Sequence, residues 1–337
     1  MLRFAISPTK EMNIGSLRLA ILNHIISKRL DEDLIIRIDD LNQDLNIEDQ
    51  DKEILEILGL FSIEYKYILN QSDNTKYHIQ MAKQLNTTPS ENFACAVDDM
   101  ISNISTIIID EKDISDTSTH IDIRNSLGYD KEINYISVPA ITNASDIKIL
   151  WLISEGYLPA AIANYLVELS YDIPKEIFTL EEAIQNFDIN RISKKSVKFD
   201  INRLKLINKE YLKSLDNMRF SKLLGYADED IGKLAKLYLD ECDNLKQIKQ
   251  KIDLIFDASL KTSLDEFEDE LSRIKQCISE APFIGNFNEF KDYITKQTKL
   301  DDEQLSMLLR FTITGSKNGP DLNKIYPLVR NYLGEII

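Results

Sequence analysis

Leu2-Arg3-Phe4-Ala5-Ile6-Ser7-Pro8-Thr9, followed after three residues by Asn13-Ile14-Gly15-Ser16-Leu17-Arg18-Leu19-Ala20, decides how this chain is read. Leu2 to Ile6 is a short apolar strand, closed by Ser7-Pro8 because proline removes a ladder donor. Leu17, Ala20, Ile21, His24 and Ile25 then recur at helical spacing. A strand that turns through glycine into a helix presents free N–H groups where a phosphate can lie. Gly15 lets the backbone approach such a ligand closely. Taken alone, a glycine between strand and helix more often serves only as a turn.

Working outward, Leu34-Ile35-Ile36-Arg37-Ile38 has the composition of a buried strand, with Asp39 and Asp40 at its end. Ile47 to Leu58 has an amphipathic helical pattern, for which Gly59 is the expected C-cap. Ala94 to Val97 and Ile107-Ile108-Ile109 add two more short apolar runs. Strands alternating with helices predict a parallel sheet with crossover helices. Beyond about residue 147 the strand pattern stops. Residues 160–169, 180–187, 201–215 and most of 217–337 carry helical patterns. A small α/β domain is therefore expected ahead of an all-helical half.

Forty basic and 56 acidic side chains give a formal charge of -16, which argues against holding nucleic acid by overall charge. It leaves room for a local basic patch. Apolar residues make up 43% of the chain, enough for a packed core. Cys95, Cys242 and Cys277 are far apart and odd in number, which predicts reduced thiols rather than a disulfide framework or a zinc site. His24, His78 and His120 show no ligand spacing. No apolar run has the length of a signal-peptide core or a membrane helix, so a cytoplasmic protein is expected.

The opening stretch resembles that of class I glutamyl-tRNA synthetases, which read R-F-A-P-S-P-T-G and then H-I-G-G/H-A-R-T-A. Further blocks follow in that family's order. Ile36-Arg37-Ile38-Asp39-Asp40 is similar to L-R-I-E-D, Gln71-Ser72 with Tyr77 to Q-S-E-R-x-x-x-Y, and Ala96-Val97-Asp98-Asp99 to V-V-D-D. Gly156-Tyr157-Leu158-Pro159 with Asn164-Tyr165-Leu166 resembles G-Y-L-P-x-A-x-x-N-Y-L. Leu308-Leu309-Arg310 and Thr314-Gly315-Ser316 resemble the anticodon-binding tail. The resemblance implies a reduced Rossmann-like catalytic-type domain over residues 1–146, an all-α stem-contact region over 147–215 and an all-α anticodon-binding-type domain over 216–337. It places a nucleotide and amino-acid site at Arg3, Ser7, Thr9, Asn13, Gly15, Arg18 and Asp39.

The departures from the family fall on its chemistry. The signature histidine that holds the ATP phosphates aligns with Asn13, which donates a hydrogen bond but carries no charge. The glutamate of L-R-I-E-D aligns with Asp39, one methylene shorter, and the pocket tyrosine and asparagine with Glu91 and Cys95. The arginine that pairs the substrate's side-chain carboxylate aligns with Ile109. Losing one partner of a buried charge pair costs roughly 3–5 kcal/mol. An inserted domain that docks the tRNA acceptor end, and carries the family's optional zinc, has no counterpart between Gln71-Ser72 and Val97-Asp98-Asp99. The K-L-S-K-R loop is replaced by Val138 to Ser145, which holds no lysine. A cation from elsewhere, for example Lys10 or Lys148, could stand in for it.

Arg191-Ile192-Ser193-Lys194-Lys195-Ser196 has the look of a lysine-serine signature but lies after G-Y-L-P, where it reads as part of the stem-contact helices. Residues 191–213 form the most basic stretch of the chain, with Lys194, Lys195, Lys198, Arg203, Lys205 and Lys209 as expected RNA contacts and Arg310 as another in the tail. The reading is thus a degenerate glutamate–tRNA ligase relative that keeps tRNA, or an authentic synthetase subunit, as partner. Two alternatives are an ATP-dependent amino-acid-activating ligase and a ligand-free structural module. ATP is the only cofactor the resemblance implies, and zinc, DNA and a membrane are not expected.

Overall fold

Five short strands, β1 (Leu2–Ile6), β2 (Leu34–Ile38), β3 (Ile68–Asn70), β4 (Thr106–Asp110) and β5 (Asn134–Val138), build one parallel sheet in the order β3-β2-β1-β4-β5. They are seen in a computed structural model that describes residues 1–143, 145, 147–171, 173–261 and 264–337. The strands end before residue 147, as the sequence predicts. All five residues of β2 are buried, which is what a central strand of a parallel sheet requires. Arg37 is level with Ala5 of β1, two positions on from Arg3. The two-residue repeat of a strand therefore sends both guanidiniums to one face.

Helix α1 (Ile14–Leu30) packs on β1, β2 and β4. After it come α2 (Gln50–Leu60), α3 (Thr75–Gln84), α4 (Glu91–Ile101) and α5 (Ile114–Ser126). They are followed by α6 (Ile149–Ser154), α7 (Pro159–Glu168), α8 (Leu180–Asn186) and α9 (Ile201–Ser214). Two expectations are corrected. Ala94 to Val97 is not a strand but part of α4, where Phe93, Ala94 and Val97 form one buried helix face. Gly59 is not a C-cap but lies within α2. The helix ends at Leu60, and the left-handed residue beyond it is Ser62, at φ 54°.

The chain divides into two compact units, one of residues 1–154 with 158–207, the other of 155–157 with 208–337. The second unit is helical: α10 (Asn217–Leu223), α11 (Glu229–Leu237), α12 (Leu245–Phe256), α13 (Glu268–Glu280), α14 (Phe287–Thr298), α15 (Asp302–Thr314), α16 (Leu322–Val329) and α17 (Leu333–Ile336). In it Phe290 of α14 stacks on Tyr326 of α16 at 4.7 Å between ring centres. The glycine of the Gly-Tyr-Leu-Pro block has a physical reason. Gly156 stands at φ +87°, and a Cβ on it would lie 2.5 Å from the Lys246 backbone nitrogen.

Candidate functional site

The expected nucleotide end is the turn from β1 into α1. Asn13 holds an extended backbone and caps the helix, its Oδ1 accepting from the N–H groups of Gly15 at 2.9 Å and Ser16 at 3.1 Å. The Ile14 N–H donates to Ile147 O at 3.2 Å. The first three N–H groups of α1 are therefore all engaged within the chain. Among the described residues a phosphate finds no free backbone donor there, and the helix start alone does not fit an ATP phosphate. Ser7 and Thr9 lie half-buried beside it. Arg18 is fully buried one turn into α1 and donates to Pro139 O at 2.5 Å, while its Nε and Nη1 have no partner among the described residues. Burial lowers its guanidinium pKa, and Asp110 and Glu111 act to raise it.

Residues 147–149 run antiparallel to 12–14, through Ile14 N–H to Ile147 O and Ile149 N–H to Met12 O. That pairing brings Lys148 level with Asn13. Its ammonium lies 3.7 Å from Glu11 Oε2.

The expected amino-acid end is a closed network of charges. Arg3 grips Asp99 with both arms, Nε to Oδ1 at 2.6 Å and Nη2 to Oδ2 at 3.3 Å. Arg37 Nη1 reaches the same Oδ1 at 3.0 Å. Arg37 also holds Asp39, Nε to Oδ1 at 2.6 Å and Nη2 to Oδ2 at 3.3 Å, and donates to Cys95 Sγ at 3.2 Å. Two guanidiniums thus face two carboxylates. Burial pushes the Asp99 carboxyl up, but Arg3 and Arg37 outweigh that and hold it below the usual range. Burial likewise opposes the Arg37 charge, yet Asp39, Cys95 and Asp99 keep it well above its ordinary value. Burial raises the Cys95 thiol against the pull of Arg37. Ile109 supplies no cation to this end and packs against the apolar cluster of Ile35, Ile104 and Ile107.

Asp98, one residue away, is buried with three partners: Gln71 Nε2 at 3.0 Å, Asn74 Nδ2 at 2.8 Å and His78 Nε2 at 2.8 Å. Asp40 accepts from the backbone N–H of Ser72 at 2.8 Å and its hydroxyl at 2.7 Å. Three of the sequence blocks that carry the family resemblance are therefore joined by hydrogen bonds. Sequence reasoning named Arg3 and Asp39 as site residues but missed Arg37 and Asp99. The signal for Arg37 was present, since a lone arginine inside Leu-Ile-Ile-Arg-Ile demands buried counter-charges.

The expected RNA contacts divide between the two units. In the first, Lys194, Lys195 and Lys198 are exposed and make no ion pair among the described residues. Their segment, 192–200, is not helical as expected but irregular, with one bridge at Val197. Val197 N–H donates to Ala140 O at 3.2 Å, Thr142 N–H to Val197 O at 2.9 Å, and Ser196 Oγ to Glu111 Oε1 at 2.8 Å. These bonds hold it along the carboxyl ends of β4 and β5. Arg203 is instead fully engaged, with both arms on Glu168 at 2.9 and 2.8 Å and a third bond to Glu176 at 2.7 Å. Lys205 is half-buried and is not free. In the second unit, Lys209 pairs with Asp240 at 3.1 Å, and Arg310 donates to Pro320 O at 2.7 Å. Among the described residues no helix is long and apolar enough to cross a membrane.

The family described as tRNA synthetases class I (E and Q), catalytic domain, matches residues 1–85 and 71–206. The protein named glutamate–tRNA ligase 2 of Sulfurimonas denitrificans is 38% identical, with all of both chains covered. Glutamate–tRNA ligase 1 of Campylobacter jejuni is 32% identical, with 100% of this chain and 99% of that one covered. The first of these alignments extends over 435 positions against 337 residues here, so the relative carries a long stretch without a counterpart in this chain. Among solved structures, a glutamate–tRNA ligase from Elizabethkingia meningosepticum superposes with a TM-score of 0.75 at 16% identity, covering 98% of this chain and 97% of that one. The shared order of blocks, the shared fold and these identities together mean that the chain belongs to the glutamyl-tRNA synthetase family of class I tRNA synthetases.

Proposed function

We propose that this member of the family no longer activates glutamate and acts as a tRNA-binding protein of the cytoplasm. The observation that carries the proposal is the closed network at Arg3 and Arg37. Both guanidiniums are neutralised from within by Asp99 and Asp39. A substrate carboxylate has to displace buried Asp99 or partly exposed Asp39, and Ile109 offers no third cation in return. The self-capped start of α1 acts in the same direction at the nucleotide end. Binding of tRNA is supported by the family and by the exposed trio Lys194, Lys195 and Lys198, whose charges nothing in the chain consumes among the described residues. Stem-contact and anticodon-binding roles for residues 147–215 and 216–337 belong to this proposal.

Glutamate-dependent exchange of pyrophosphate into ATP, run with and without tRNA, tests the loss of activation; turnover above background refutes it. A mobility-shift titration with tRNA at rising salt tests the other half. Each phosphate contact contributes roughly 0.7–0.9 to the logarithmic salt slope. Replacing Lys194, Lys195 and Lys198 together by alanine is expected to flatten that slope by about 2–3. A slope left unchanged means that the RNA does not meet these lysines.

One observation favours a second reading, that of an ATP-dependent amino-acid-activating ligase. Lys148 stands level with Asn13 and is the cation best placed to substitute for the missing signature loop. If the exchange assay is positive and Lys148→Ala abolishes it, this reading replaces the first.

A further inference from the structure

Helix α2 buries Ile54, Ile57 and Leu58 against its own unit and leaves its other side facing a groove of about 600 Å³. The groove is bordered by Leu150 of α6 and by Ile47, which precedes α2. Ile47, Leu60 and Leu150 are exposed at 47%, 50% and 42%. Single exposed apolar residues need no explanation, but these three line one concave surface together with Ile57, and concave surfaces with apolar lining are the kind that partners cover. The rim is acidic. Glu48, Glu53 and Glu56 all border the groove, and none of them has a cationic partner among the described residues. Of the lining residues the one basic side chain, Lys52, is paired with Asp49 at 2.5 Å, and Glu11, also in the lining, is paired with Lys148 at 3.7 Å.

We propose that this groove docks a basic amphipathic helix from a protein partner. Apolar side chains at i, i+3/i+4 and i+7 would cover Ile47, Leu60 and Leu150, with Lys or Arg flanking them against Glu48, Glu53 and Glu56. The charge selects this occupant. A phosphate backbone is repelled by the rim, as is an anionic lipid surface, and a second copy of a chain of charge -16 brings like charge to like. The proposal is independent of whether the chain binds tRNA or activates an amino acid.

Trp151, the only tryptophan of the chain, is 49% exposed on the same short helix as Leu150, next to it in sequence and just outside the groove lining. The test titrates the full chain with a synthetic amphipathic helix of leucine and lysine and follows Trp151 emission. The probe is expected to shift the emission saturably. Replacing its leucines by glutamine, or its lysines by glutamate, is expected to abolish the shift. The double variant Glu53→Lys/Glu56→Lys and the variant Leu60→Gln, both on exposed or partly exposed positions, are each expected to weaken binding about tenfold, equivalent to about 1.4 kcal/mol. Circular dichroism confirms that the variants fold. Failure of the probe to bind overturns the proposal. So does equal binding by the leucine-free probe, full affinity in the charge-reversed variant, or tRNA shifting Trp151 emission where the peptide does not.

Discussion

Replacing Asp99 by asparagine removes the charge on which two guanidiniums converge. Asp99 Oδ1 receives Arg3 Nε at 2.6 Å and Arg37 Nη1 at 3.0 Å, and the side chain of Asp99 is fully buried. Arg3 and Arg37 are themselves only 11% and 2% exposed, so water does not easily replace the lost carboxylate. Arg37 keeps Asp39, whereas Arg3 has no other acidic partner among the described residues. Breaking a buried pair from one side costs roughly 3–5 kcal/mol. With a urea m-value of about 2 kcal/mol/M, the unfolding midpoint should fall by about 1.5–2.5 M. Trp151 lies in the same unit, so its fluorescence follows that unit in the urea titration. The pH dependence has a definite sign. The folded carboxyl of Asp99 sits below its ordinary value, so its contribution is complete above the unfolded pKa and is lost as pH falls through the folded one. The gap between wild type and Asp99→Asn should therefore be constant from pH 6 to 8 and close only below about pH 4. Asp99→Ala adds a second readout. The hole it leaves should accept formate or acetate, which restores part of the midpoint, whereas chloride at equal ionic strength does not. A loss below about 1 kcal/mol, or no carboxylate rescue, refutes the view that these arginines are saturated from within.

Three further outcomes follow from single residues. Asn13→Ala removes the cap on α1 and should cost about 1 kcal/mol in urea unfolding; a neutral result would mean that the α1 N–H groups are satisfied without it. Gly156→Ala forces a left-handed alanine whose Cβ meets the Lys246 backbone nitrogen at 2.5 Å. It should lose about 1–2 kcal/mol from the backbone alone, with more from the clash, read as a lower thermal midpoint. Lys261 donates to Thr312 O at 2.9 Å and to Ile336 O, and burial with help from Lys275 lowers its pKa to about 8. Competitive amine labelling followed by mass spectrometry should show half-maximal reactivity near pH 8 at this lysine. A profile rising only near pH 10, like that of an exposed lysine, contradicts the burial argument.

The elements built from apolar runs were legible in the sequence. β1, α1 and β2 stand where the strand and helical patterns placed them, because each buries a continuous surface. β3 and β5 were not legible. β3 has three residues, and β5 alternates Asn134, Tyr135, Ile136 and Ser137 at an exposed edge, so neither offers an apolar run. The Ala94 to Val97 run misled for the opposite reason: four consecutive small or apolar residues fit a buried helix face as well as a strand. The site was half legible. Arg3 and Asp39 were visible through the family blocks, but Arg3 meets its partner Asp99 across 96 residues of sequence, and only the packing of α4 on the sheet brings them together. The basic stretch at 191–213 was visible as composition, whereas the acids that consume Arg203 lie at 168 and 176 on other segments.

The network explains why the sequence likeness falls on some blocks and not on others. The blocks that resemble the family most closely are those with structural work to do. Asp98 satisfies Gln71, Asn74 and His78; Asp40 satisfies Ser72; Asp99 satisfies Arg3 and Arg37. Each of these groups is a buried or half-buried polar atom, and the loss of any one leaves a donor or charge stranded inside the fold at a cost of about 1–3 kcal/mol or more. The positions that differ are bound in other ways, and after β5 the carbonyls of Pro139 and Ala140 accept from Arg18 and Val197. Asn13 caps a helix as well as any polar residue does, and Ile109 improves an apolar cluster. A full-length match at 38% identity therefore reports on the family and the fold. If glutamate-dependent exchange is measurable, the charge that drives it has to come from outside the family blocks, and Lys148 beside Asn13 is where the structure allows it to enter.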